Sequence, residues 1–462
     1  MAEKTAVPVE LGTEKISRLL KQYALPAIIA QTAASLYNMV DSIFIGQGVG
    51  PLAISGLAVT FPLMNLSTAF GTLVGAGAAT MLSVLLGQKN YKAANKVLGN
   101  VVTLNIIIGV VFMVLALIFI DPILYFFGAS ENTLPYAKEY IRIILFGNVI
   151  THLYFGLNAA MRSSGSPKKA MGLTIFTVVF NAILDPIFIF VFDMGIAGAA
   201  WATVIAQTIA MMVVLAHFND KSRAFHFEKG IVRLDMRVAK DSLAIGMGPF
   251  LMNAAACLVT LFINQQLRKY SGDLGIGAYG ICNRLIFMFM MICMGLNQGM
   301  QPIAGYNYGA RQYSRVKEVF WKTAKLAMGM TTLCFIVGMF IPRIACGIFT
   351  HDQDLLDLSS HALRIMVIIF PIVGFQMIAT NFFQSLGMVR KSVILSLSRQ
   401  ILFLLPLLYA LPLRFGSDGV WMSFPISDLA ATVLTAIMLG SLFRKFNKLN
   451  DGDDPSILGS QL

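Results

Sequence analysis

The sequence predicts an all-α polytopic membrane protein: twelve transmembrane helices in two pseudo-symmetric six-helix lobes. Three observations predict it. The 462 residues are 57% hydrophobic and only 13% charged, with mean hydropathy +0.73, whereas a soluble globular protein is nearer half apolar and about a quarter charged. The apolar runs reach or exceed about 20 residues, the length a helix needs to span a bilayer. Turns, prolines and basic residues also recur once along the chain at a nearly constant offset.

The apolar runs fall at about 17–46, 52–86, 93–120, 134–161, 168–192 and 195–218, then 237–268, 273–308, 316–342, 356–386, 391–413 and 416–443. Span one carries Pro26, Tyr37 and Asp41, span four Tyr140, span five Asn181 and Asp185, span six Thr203. Span seven carries Pro249, span eight Arg284 and a methionine-rich stretch, span eleven Arg399, span twelve Asp428. Several runs exceed the minimum length, which predicts tilt or extension beyond the bilayer. Residues 1–16 and 444–462 read as polar tails and 219–236 as a polar linker, so the expected lobes are 17–218 and 237–443. No short apolar core with a cleavage site stands at the N-terminus, so no signal peptide is expected.

Basic residues set the orientation. With the N-terminus inside, the inner segments hold 25 of the 35 Lys and Arg, and the outer side six: Lys138, Arg142, Arg268, Lys269, Arg343 and Arg414. Both termini are therefore expected in the cytoplasm. The same distribution accounts for the net charge of +12 without nucleic acid as a partner. The five cysteines sit in or beside apolar runs at no metal-ligand spacing and read as packing residues.

The halves repeat. Gly87-x3-Tyr91 matches Gly309-x3-Tyr313, and Arg142, Gly165 and Lys169 match Arg364, Gly387 and Lys391, all at an offset of 222. Pro26 matches Pro249 at 223 and Gly198 matches Gly419 at 221. Six spans per half bring both repeats in from the same side, so they are parallel, related by an axis along the membrane normal. Pro26 and Pro249 each remove a backbone hydrogen bond and are expected to bend their helices, as static kinks or as hinges.

The repeat fails at the acids. Asp41 falls on Asn264, and Asp185-Pro186 on Leu405-Pro406. An ionisable residue within a span is costly and marks a functional site by default, so the asymmetry points to one lobe carrying ion coupling. Tyr37, Asp41, Tyr140, Asn181, Asp185 and Thr203 lie roughly 7–17 Å below the outer helix ends at about 1.5 Å per residue. Tyr37 and Asp41 share a helix face, as do Asn181 and Asp185. Oxygen-rich clusters suit Na⁺, and carboxylates held together away from water suit a proton. The same polar residues also serve bundles as interhelical glue.

In the second half Arg284, Arg399 and Asp428 lie at similar depth with opposite signs. They read as a buried ion cluster, either structural or facing a substrate cavity. Phe287, Met288, Met291 and Met294 add adaptable apolar surface to that candidate cavity, and a methionine stripe is equally ordinary packing. The sequence holds no Walker A motif, zinc-ligand spacing or nucleophile elbow. Neither an enzyme nor a cofactor is expected, and with no soluble domain for an ATPase, energy is expected from an ion gradient or a partner.

The stretches P-A-I-I-A-Q in span one, Y-N-M-V-D-S-I-F-I-G around Asp41, N-A-I-L-D-P-I-F-I-F in span five and G-I-A-G-A-A-W-A-T in span six resemble the multidrug and toxic compound extrusion (MATE) family. The resemblance covers nearly the whole chain and is closest to the DinF-like and MepA-like branch. It implies that Asp41, Asp185, Asn181 and Thr203 form a site for Na⁺ or H⁺. It also implies a monomeric antiporter in a bacterial or archaeal cytoplasmic membrane, with a role in antibiotic resistance. Its substrates would be lipophilic cations: dyes, quaternary ammonium compounds and antibiotics. Another branch carries an acid on span seven, where this chain has Asn253, Asn264, Gln265 and Gln266. The wider superfamily offers a second expectation, a lipid-linked precursor flippase.

Overall fold

The computed structural model describes residues 10–221, 225–227 and 234–454, without the side chains at 36–40, 42, 43, 46, 47, 51, 54 and 273. The described residues are mostly helical, with no strand among them. The first half contains Ile16–Gly48, Pro51–Gly87, Tyr91–Ile118 and Leu134–Ser163, then Pro167–Pro186 continued by Ile187–Val191, and Gly195–Asn219. The second half begins with one run, Met236–Gly309, broken at Gly272. Tyr313–Phe340 follows, then Gln353–Met366 with Phe370–Ser385, Val389–Phe415 and Ser417–Phe446. Ten of these helices are long and apolar enough to cross a membrane, and the pair Gln353–Met366 and Phe370–Ser385, bent by 59°, makes an eleventh. Ile16–Gly48, at 33 residues, completes the twelve expected spans.

The surface is that of a membrane protein. Span three has mean hydropathy 2.9, yet Ile107, Val111, Leu115 and Ile118 on its outer face are exposed. In water that face would have to be covered; acyl chains cover it without cost. The inner faces carry the polar residues.

The repeat extends to the backbone. The turns after spans one and seven hold Gly50 and Gly272, those after two and eight Lys89 and Arg311, those after four and ten Gly165 and Gly387. All six have left-handed φ, and each pair is 222 residues apart. Lys89 and Arg311 share φ 59° although neither is glycine. The turn geometry, not the residue type, is what recurs there.

The chain forms two compact units, and two segments lie across the expected lobe boundary. Glu14–Ile28 belongs with the second unit, and the chain up to Phe250 belongs with the first. Each crossover falls within two residues of a repeated proline, Pro26 or Pro249. Side-chain clamps fasten the exchanged segments. In the first unit Asp235 caps the start of span seven, accepting from Arg237 N at 3.2 Å, while Lys96 Nζ lies 3.3 Å from its carboxylate. Asn100 Nδ2 donates to the Asp235 carbonyl at 3.0 Å. In the second unit Arg315 donates to the Glu14 carbonyl at 2.6 Å and Lys322 to Ser17 Oγ at 2.7 Å.

Glycines let the exchanged helices approach closely. A Cβ on Gly77 would stand 1.9 Å from the Ser242 carbonyl oxygen, and one on Gly299 would stand 2.4 Å from Ala24 Cα. Gly77 and Gly299 are again 222 residues apart. The hydrophobic interior of the second unit centres on Trp421, Phe370, Leu267 and Leu363. The first unit has two clusters, one around Ile45, Tyr140 and Ile189, the other around Leu63, Phe112 and Ile141.

Candidate cation site and the polar residues of the second unit

Span five is regular from Pro167 to Pro186, then widens into a π-helical turn over Ile187–Val191. Such turns occur often at functional sites, because they re-aim the side chains on either side. Asp185 is fully buried beside this turn. Gly198 brings span six against it: a Cβ there would stand 2.9 Å from the Phe188 carbonyl carbon. That approach sets Thr203, farther along span six, beside Asn181. Asn181 Nδ2 donates to Asp185 Oδ1 at 3.3 Å and lies 3.5 Å from Thr203 Oγ1. Thr203 in turn donates to the Ala199 carbonyl at 3.1 Å.

Asp41, only 5% exposed, comes from span one. Its carboxyl lies near that of Asp185, and the two are electrostatic neighbours. Tyr140, buried on span four, lies within the field of both acids. Five of the six first-half residues singled out by sequence therefore meet in one place. Tyr37 lies on the same helix one turn before Asp41, and its side chain is outside the described residues.

Three buried oxygens at this place have no hydrogen-bond partner: Asp41 Oδ1, Asn181 Oδ1 and Asp185 Oδ2. An unsatisfied buried acceptor costs about 1–3 kcal/mol, more when charged. Two neighbouring carboxylates also repel unless a proton or cation stands between them. Oxygen acceptors of this kind fit a hard cation or a proton. Among the described residues no group of three or more His, Cys, Asp and Glu is placed to hold a metal ion; the donor set here is two carboxylates completed by an amide and a hydroxyl.

The second unit departs from the expected three-residue ion cluster. Arg399 Nε pairs with Asp428 Oδ1, with side-chain exposures of 29% and 3%. Arg399 lies in a second π-helical segment, Ser398–Leu404. Beside the pair, Tyr279 stacks on Phe424 with ring centroids 6.0 Å apart. Arg284 is outside this group: it is exposed, and no acid among the described residues pairs with it. One carboxylate neutralises one guanidinium, and Arg399 occupies Asp428. Phe287 and Met288 are exposed on span eight, while Met291 and Met294 are half-buried. Pro26 and Pro249 lie inside their helices at the unit crossovers. Of the five cysteines, all but Cys257 are buried, and all are free.

Sequence reasoning missed a second polar group in the first unit. Ser67 Oγ hydrogen-bonds Asn148, and His152 Nε2 lies 2.9 Å from the Ser67 carbonyl. Asn148 and His152 are i, i+4 on span four, so their common face was the available signal.

A family model described as MatE matches this chain twice, over residues 26–187 and 249–410. Multidrug export protein MepA of Staphylococcus aureus (strain MSSA476) is 28% identical over 430 residues, covering 93% of this chain and 94% of that protein. A solved structure of the MATE multidrug transporter DinF-BH in complex with rhodamine 6G is 35% identical, with TM-score 0.89, covering 97% of this chain and all of that one. An outward-facing multidrug resistance MATE family transporter of the MOP superfamily shares the fold, with TM-score 0.89 at 22% identity over 97% of this chain and 100% of that one.

Proposed function

The chain belongs to the MatE family, a family of transporters and not of enzymes, and from that premise we propose that it is a secondary active multidrug efflux antiporter. It exports lipophilic organic cations, including dyes, quaternary ammonium compounds and antibiotics, in exchange for inward H⁺ or Na⁺. It does so by alternating access, as a monomer in a bacterial or archaeal cytoplasmic membrane with both termini inside. The names of its relatives support multidrug export: MepA is a multidrug export protein, and DinF-BH is a multidrug transporter solved in complex with rhodamine 6G.

The coupling cation enters at Asp41, Asp185, Asn181 and Thr203, with Tyr140 alongside. The observation that carries this reading is the set of three partnerless buried oxygens, Asp41 Oδ1, Asn181 Oδ1 and Asp185 Oδ2. A cation or proton among them relieves both the unmet hydrogen bonding and the repulsion between the acids. Emptied, the pair regains that repulsion. A ligand shifts a conformational equilibrium only through its different affinity for the two states. This site meets that condition when the acids lie close in one state and apart in the other. The π turn Ile187–Val191 beside Asp185 gives span five a segment outside the regular i→i−4 ladder in which to repack.

Purified protein in liposomes, given Na⁺ and pH gradients separately, tests this. Rhodamine 6G should move against one gradient and stop when that gradient collapses. Dye flux indifferent to both would overturn the coupling. The second reading, a lipid-linked precursor flippase, needs a basic chamber for phosphates; two buried acids in the first unit weigh against it. Translocation of a prenyl-pyrophosphate lipid without any dye flux would decide for the flippase.

A further inference from the structure

Span nine carries a base in the middle of an apolar face. Trp321, Leu326, Leu333, Ile336 and Phe340 form its exposed stripe, and Lys325 stands exposed among them. Lys325 is twelve residues into Tyr313–Phe340, about 18 Å along the helix. Glu318, the one acid of that helix, is held by Lys322 at 2.6 Å. Among the described residues Lys325 has no ion pair. An unpaired ammonium among acyl chains is costly unless its stem carries it to the polar layer. Side chains lean toward the N-terminus of their helix, so the stem of Lys325 runs back past Trp321.

Trp321 belongs to an aromatic floor that joins three spans. Its ring lies 6.3 Å from that of Phe375 on span ten and 6.0 Å from that of Phe443 on span twelve. Arg444 follows Phe443 and ends the exposed stripe of span twelve, Leu429, Val433 and Ile437. Lys445, half-buried, is an electrostatic neighbour of Lys391 at the start of span eleven. Among the described residues no acid pairs with Arg444, Lys445 or Lys391. The first unit lacks this group: at the offset of 222, Trp321, Lys325 and Arg444 fall on Gly99, Thr103 and Ser222. It is therefore not part of the repeated scaffold. Bases without acids, at the foot of two acyl-facing stripes and around a tryptophan suited to the membrane interface, match a phosphate at headgroup depth.

We propose that this end of the second unit binds the headgroup of an anionic phospholipid, with Lys325 and Arg444 on the phosphate and Trp321 beneath it. In the orientation given above, that lipid belongs to the cytoplasmic leaflet.

The test reads tryptophan quenching by lipids with brominated acyl chains. Trp201→Phe removes the other exposed tryptophan, and Trp421 is fully buried, so quenching in the full-length protein reports lipid beside Trp321. This parent protein is placed in phosphatidylcholine vesicles, and brominated phosphatidylglycerol is compared with brominated phosphatidylcholine. The parent should prefer phosphatidylglycerol. Lys325→Gln should lower that preference about fivefold, the worth of one base near an anionic surface, and Lys325→Arg should keep it. Arg444→Gln should lower it likewise, and carries the test if thermal unfolding shows that Lys325→Gln does not fold. Inorganic phosphate, against chloride at equal ionic strength, should leave the preference unchanged. Equal quenching by both lipids in the parent, or an unaltered preference in the folded Gln variants, overturns the site. Loss of the preference to inorganic phosphate overturns the lipid assignment in favour of a soluble anion.

Discussion

Asn181 donates to Asp185 across one helical turn, Nδ2 to Oδ1 at 3.3 Å, which ties down one carboxylate oxygen of span five. Asp41→Asn and Asp185→Asn keep side-chain volume and hydrogen-bonding capacity, so each variant should fold. Each should abolish gradient-driven dye efflux in liposomes, while dye binding persists. Asn181→Ala and Thr203→Ala remove one neutral ligand each and should weaken cation dependence by less, about tenfold for one lost hydrogen bond to a charged partner. Full gradient-driven transport by the Asp41→Asn, Asp185→Asn double variant would refute the coupling site.

Arg399 and Asp428 form the ion pair of the second unit, with the carboxylate 3% exposed. Removing one partner strands a buried charge, which typically costs about 3–5 kcal/mol. Asp428→Asn should therefore lower the thermal midpoint in detergent clearly. Adding Arg399→Gln should return part of the loss, because two neutral groups need no counter-ion. Additive losses in the double variant would argue against the pair as an energetic unit.

Gly77 and Gly299 bring each exchanged helix to within backbone contact of its host unit. Overpacking a core usually costs about 1–3 kcal/mol. Here the new Cβ would meet backbone atoms, which cannot rotate away, so the cost should sit at or above that range. Gly77→Val and Gly299→Val should each reduce folded yield by size-exclusion chromatography. Equivalent changes at Gly172 and Gly440, where a Cβ meets nothing within 4 Å, should leave yield near normal.

Asp451 caps a helix that has no side-chain cap of its own. Span nine starts at Tyr313, and its N-cap residue Gln312 makes no such bond. Asp451, from the segment after span twelve, accepts from Ser314 N at 2.9 Å and from the Ser314 hydroxyl. Partial burial opposes its ionisation, but the hydrogen bonds from Ser314 and the Tyr313 N–H, with the Lys317 charge nearby, together outweigh burial and hold the carboxyl below its usual range. A carboxyl lowered in the folded state stabilises the fold above its unfolded value, near 3.9. That stability is lost as pH falls through the lower, folded value. Asp451→Ala should cost about 1 kcal/mol at neutral pH, the usual worth of an N-cap. Thermal unfolding followed from pH 6 to pH 3 should then show a shallower decline in the variant than in the wild type. Parallel declines would exclude Asp451 as a source of the acid sensitivity.

Most of the fold was readable from the chain because its physics is one-dimensional. A run of apolar residues long enough to cross a bilayer must be a helix there, since unpaired backbone has no water to turn to. The 222-residue offset of Gly87, Arg142, Gly165 and Lys169 needed no contacts to be seen. Asp41 and Asp185 stood out for the same reason, because a charge in an apolar run is conspicuous wherever the helix packs.

Tertiary structure decided what depends on helix rotation and close approach. Depth along a span is a count of residues, but facing is not. Arg284 and Arg399 stand at similar depth, yet only Arg399 reaches Asp428, and a π-helical segment that no residue pattern announced carries it there. The exchange of Glu14–Ile28 and the start of span seven between units is likewise invisible in hydropathy, which is the same whichever unit a helix joins. Small local residues, Gly77, Gly299 and Gly198, determine which backbones can touch, and their partners are fixed only once distant parts of the chain have come together.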